Sequence, residues 1–145
     1  MPNLVMLVLI AIIGGVAVTL QAQFMGTMDQ SLGTVESVFI TYGGGGLLVG
    51  LTMLFMRGGN LQAWRSLPPY TLLAGVAGLI IVGSIGYVTP RLGLVATFTI
   101  FVATQFIIAA IMDHFGLLGA TVRPIDLSTL AGMVVVLVGV WLIIK

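Results

Sequence analysis

The sequence has no cysteine, a single histidine, and only four acidic and five basic residues in 145 positions. The missing cysteines exclude disulfides and thiolate metal sites, and they leave the redox compartment unread. Charged residues make up 6% of the chain, where a soluble domain carries about 25%. So few charges cannot solvate the surface of a folded globule of this length, which excludes a water-soluble monomer. The net charge of +1 gives no electrostatic footing for nucleic acid, which needs basic residues gathered on one face. No HExxH or GxSxG motif is present and His114 stands alone, so an enzyme is not expected. Nothing resembles the carbonyl filter or charged ring of a channel. No cofactor or metal site is expected either.

What remains is apolar. Hydrophobic residues form 59% of the chain. A helix rises about 1.5 Å per residue and needs about 20 mostly apolar residues to cross about 30 Å of hydrocarbon. Five stretches qualify, at about 4–24, 35–56, 70–88, 92–112 and 127–144. The apolar runs are continuous, as in 79–82 and 134–138, so they lack the alternation of a membrane barrel strand. Helices also pair their own backbone groups inside the bilayer. The first stretch lacks a basic n-region and a convincing cleavage site, so it reads as a retained helix rather than a signal peptide. Turn-rich breaks are expected at 25–33, 57–69, 89–91 and 113–126. The second of these holds Trp64 and ends in Pro68-Pro69-Tyr70, which reads as an interfacial segment with an aromatic anchor or as a plain loop.

The basic residues barely bias orientation. With five spans, Arg57, Arg65 and Arg123 share one side, while Arg91 and Lys145 share the other. Such a chain either inserts both ways, which permits an antiparallel dimer, or has one dominant orientation with an oppositely oriented partner. The 20 glycines add a packing signal. Gly43, Gly46 and Gly50 share one face of the second helix with Glu36, and Gly75, Gly78, Gly83 and Gly86 fall on one arc of the third. Gly132 and Gly139 are seven apart in the fifth. Small residues allow close backbone approach where lipid supplies no hydrophobic drive for helix association.

The ordered set Thr89-Pro90-Arg91-Leu92-Gly93, Thr104-Gln105-Phe106, and Asp113-His114-Phe115-Gly116-Leu117-Leu118-Gly119 resembles the YdcZ-like five-helix family of the drug/metabolite transporter superfamily. Arg123-Pro124-Ile125-Asp126-Leu127, Leu130-Ala131-Gly132 and Gly139-Val140 continue the pattern. The match covers about the last 60 residues, and the first half agrees in layout more than in motif. The resemblance implies an all-α membrane protein of half size, one half of an inverted-repeat ten-helix antiparallel dimer. It implies a secondary-active exporter in the bacterial inner membrane but transfers no substrate; a dry, mostly apolar path with one carboxylate points to small organic metabolites or cations. Its partners would be the lipid bilayer, a small-molecule substrate, and either a second copy or an oppositely oriented paralogous chain. The alternative is a non-transporting membrane subunit, or one half of a heterodimeric transporter. The Gly132 to Gly139 spacing is also similar to the dimerising last helix of small multidrug resistance transporters.

Candidate substrate-binding residues are the polar ones within spans. Glu36, one turn into the second helix, reads either as a cation or proton site or as an interfacial residue capping the helix start. Gln105 lies mid-way along the fourth helix and Gln21 deep in the first; a buried amide must find partners, in substrate or in another helix. Thr97, Thr99 and Thr104 can bond back to their own helix. Tyr42 and Tyr87 offer an aromatic wall with a hydroxyl, or plain packing. Asp113 and His114 end the fourth helix and either form an ion lock with Arg91 or Arg123 or serve as a static connector. Pro90 reads as a turn former or a gate hinge.

Overall fold

The computed structural model describes residues 4–56 and 60–145, leaving the Gln62 side chain aside. Arg57 therefore lies outside the described residues. Among the described residues there are five α-helices and no strand: α1 (Leu4–Leu32), α2 (Thr34–Phe55), α3 (Ala74–Leu92), α4 (Leu94–Phe115) and α5 (Leu127–Ile144). All five are long and apolar enough to span a bilayer, α3 when taken with the 3₁₀ turn Pro69–Leu73 before it. Their large apolar side chains point outward; Leu7, Val49, Ile80 and Val135 are all exposed. That inverts a soluble core and suits a chain solvated by lipid. Another 3₁₀ turn, Leu61–Ser66, carries Trp64 with the Arg65 guanidinium 5.9 Å from its ring centre.

Two expected breaks contract. The polar stretch after Phe24 stays helical to Leu32, because its hydroxyls bond back within the helix: Thr27 donates to the Gln23 carbonyl at 3.0 Å and Ser31 to Thr27 at 3.2 Å. At about 1.5 Å per residue the 29 residues of α1 reach about 43 Å, longer than the hydrocarbon, so its polar end has room outside it. Helix α3 likewise runs through Pro90 to Leu92. Proline there removes one helix hydrogen bond close to the C-terminus, where little helix remains to be disrupted.

The true breaks are single glycines. Gly33 has φ 103°, ψ 163° and Gly93 has φ 83°, ψ 158°, a combination essentially closed to side-chain-bearing residues. The two lie in one recurring pattern 60 residues apart: Met25-Gly26 and Ile85-Gly86, then Leu32-Gly33-Thr34-Val35 and Leu92-Gly93-Leu94-Val95, then Ser37 and Thr97. Gly26 and Gly86 are both buried, as are Ser37 and Thr97.

The chain forms two compact units, Met1–Arg91 and Leu92–Lys145. In the first, α1 packs on α2. The glycine face of α3 meets both: Gly86 receives Met25 and Ser37, Gly83 receives Val38, and Gly78 receives the Tyr42 hydroxyl. Reciprocally, Gly26 of α1 receives Thr89 and Pro90. A side chain at Gly86 would put its Cβ 3.3 Å from Met25 Cε, a tight contact with the movable end of that side chain. In the second unit α4 packs on α5. Helix α4 stops at Gly116, in the left-handed region at φ 62°, and Asp126 caps the start of α5.

Candidate functional site

The most enclosed polar chemistry of the first unit gathers where α1, α2 and α3 meet. Its buried polar side chains are Asp29, Ser37 and Thr89. Asp29 lies one turn beyond Gly26 on the face that meets α3. Its side chain is 4% exposed, and its Oδ2 pairs with Arg91 Nη1 at 3.0 Å. The hydroxyl of Thr34, the first residue of α2, donates to Oδ1. Arg91 also donates to the Tyr87 carbonyl, and its guanidinium carbon stands 3.6 Å from the centre of the Tyr87 ring. This is the one ion pair among the described residues. A lone buried carboxylate would be very unfavourable, so Arg91 is what permits Asp29 there. Nearby, the Thr89 hydroxyl is buried without a partner, while its methyl packs on Gly26.

Asp29 was missing from the sequence candidates because its segment reads as a turn. The repeated spacing around Gly33 and Gly93 pairs its position with that of Thr89 in the second copy. Of the expected residues, Tyr87 and Arg91 join this cluster. Glu36 sits in the first turn of α2, exposed, with Oε2 folded back over Gly33. Gln21 is exposed on α1 beside a shallow apolar hollow that also includes Phe24, Met28 and Ile40. Tyr42 directs its hydroxyl at Gly78.

In the second unit, α4, α5 and the connector between them line an open cavity of about 540 Å³. Small-molecule pockets run from about 300 to 1,000 Å³. Asp113 and Arg123 line it together with apolar residues such as Phe106, Met133 and Val136. Among the described residues no ion pair joins these two charges; instead the Arg123 amide donates to the Asp113 carbonyl at 2.8 Å. His114 Nδ1 accepts the Ile125 amide at 3.0 Å, and its ring meets Phe115 edge-on. These two bonds, one between backbones and one through the His114 ring, tie the end of α4 to the run before α5. Arg91 is bonded to Asp29.

Gln105 lies at the middle of α4, exposed, and bonds nothing among the described residues. Thr97, Thr99 and Thr104 each donate to a carbonyl four residues back, at 2.7 to 2.9 Å. Gly132 lines the cavity, and neither it nor Gly139 has any atom within 4 Å of where a Cβ would stand. Gly43, Gly46 and Gly50 of α2 are equally open.

The Asp126 carboxylate accepts from the Thr129 hydroxyl and amide and from the Ser128 hydroxyl, at 2.5 to 2.8 Å. These bonds favour the charged form, the Thr129 hydroxyl most, and pull the carboxyl down to about 2.

The profile of one protein family, DMT_YdcZ, described as "Putative inner membrane exporter, YdcZ", matches residues 6–142. No curated protein and no solved structure matches the chain.

Proposed function

The chain belongs to the YdcZ family of inner-membrane exporters and is an integral membrane protein, and from that premise we propose that it is a secondary-active transporter working as an antiparallel dimer. Its cargo is a small organic molecule, cationic or neutral. Gln105 carries this reading. An amide at the midpoint of a spanning helix, exposed and unbonded, would cost about 1–3 kcal/mol in hydrocarbon by mutational measures. It therefore faces a polar substrate path or a second chain, and Gln21 on α1 makes the same demand. Tyr42, Tyr87 and Glu36 complete the set of side chains for a substrate to meet. The open glycine faces at Gly132 and Gly139 supply a close-packing surface for the mate. The nearly even Lys/Arg balance supports insertion both ways.

The experiment is a solute screen on purified protein in liposomes, adsorbed to solid-supported membranes, run with and without a pH gradient. Saturable movement of a small organic solute is expected, together with C-terminal reporters on both sides of the membrane or a partner chain of opposite orientation. Solute movement by an isolated monomer, or one fixed orientation with no opposed partner, overturns the proposal.

A further inference from the structure

Arg91 and Asp29 do not share their burial. The carboxylate side chain is 4% exposed, whereas the Arg91 side chain is 48% exposed. The acidic half is a fixed wall and the basic half is an occupant reached from outside. Asp29 is held by α1, and the Thr34 hydroxyl on Oδ1 orients it without any help from Arg91. If the guanidinium left, Oδ2 would still face the space it vacated, with the Tyr87 ring and carbonyl alongside. A carboxylate beside an aromatic face is the usual reception for a flat, delocalised cation, and the 3.6 Å stacking distance is that of direct contact. Thr89 Oγ1 is buried and unpartnered at the same α1–α3 junction, where the Thr89 methyl packs on Gly26.

We propose that Asp29, Tyr87 and Thr34 form a binding site for small, flat organic cations of the guanidinium or amidinium class, and that Arg91 occupies it as a tethered ligand. This deepens the exporter reading and rests on it for the site's role in transport. An incoming cation competes with Arg91 for Oδ2 and for the ring. When it wins, the one ion pair between α1 and α3 is replaced by a bond to cargo, so binding loosens the contact between those helices. The tether gives Arg91 a high effective concentration, so free cations bind the intact protein weakly. Removing the tether should expose the site's own affinity.

The test uses methylguanidinium, the end of the arginine side chain itself, on purified full-length protein in lipid nanodiscs. Binding is followed by equilibrium dialysis and thermal unfolding at matched ionic strength, with sodium as the control cation. Arg91→Ala should bind methylguanidinium about tenfold or more tightly than the unmodified chain and regain thermal stability on binding it. Arg91→Gln, which keeps most of the stem, serves if the alanine variant does not fold. Adding Asp29→Asn to either should abolish saturable binding, and Tyr87→Leu should weaken it. Equal binding with and without Arg91, or binding that survives Asp29→Asn, overturns the proposal and leaves a purely structural ion pair. The assay needs no transport. An exporter that fails in the solute screen yet binds methylguanidinium through Asp29 keeps the site and loses the transport reading, and the reverse pattern loses the site alone.

Discussion

Gly33 and Gly93 each turn the chain from one spanning helix into the next with one residue. A short link of this kind is possible only because φ near +90° combined with an extended ψ is available to glycine. Alanine at Gly93 has open space for its methyl, so backbone strain alone would be felt, about 1–3 kcal/mol. At Gly33 the new Cβ would also stand 2.7 Å from Glu36 Oε2, the movable end of a side chain. Both variants should unfold at lower temperature in detergent, Gly33→Ala no less than Gly93→Ala. Unchanged unfolding temperatures would mean that the two links are not held at these angles. Asp126 acts at the same scale through charge. Its carboxyl lies at about 2, below the ordinary 3.8 because of the bonds from Thr129 and Ser128. A depressed carboxyl contributes stability that is complete above the ordinary value and disappears as pH falls from about 4 through about 2. The Thr129 amide resonance, followed by NMR in micelles, should therefore titrate near 2 and stop titrating in Asp126→Asn. A midpoint at the ordinary carboxylate value would show that the cap bonds do not hold the charged form.

At the level of helices, hydropathy located all five spans because bilayer thickness dictates their length. Helix α5 matched its expected bounds, since the Asp126 cap and the proline before it mark its start in sequence. The ends of α1 and α3 did not. Thr27, Asp29, Ser31 and Pro90 are turn formers by composition, but hydroxyls that bond back to the helix and a carboxylate neutralised by Arg91 let the polar stretch remain helical. No local property of Asp29 announces that neutralisation, because its partner stands 62 positions away and arrives only through the crossing of α1 with α3. The glycine face of α3 was legible, and Gly78, Gly83 and Gly86 do receive α1 and α2 side chains. His114 illustrates the opposite limit. Its position at a helix end suggests an ion lock or a connector, and only the fold shows that its ring meets the Ile125 amide, 11 positions on.

At the level of the whole molecule, the glycines left open by the chain itself are the most direct handle on assembly. Gly132 and Gly139 face nothing within 4 Å, so a Cβ at either position meets no other part of the chain. Leucine is also the better helix former by most of 1 kcal/mol per site, so α5 itself should not suffer. Any loss of assembly on substitution therefore belongs to the mate rather than to the fold. If α5 packs closely against a second chain, as in the antiparallel pair proposed above, the added side chain must push the two helices apart. Gly139→Leu should then shift the size-exclusion peak from dimer to monomer in mild detergent while the unfolding temperature of the monomer is kept, and Gly132→Leu should do the same while also narrowing the α4–α5 cavity. Oligomers unchanged in both variants would move the interface off α5, leaving the open glycines of α2 as the remaining close-packing face.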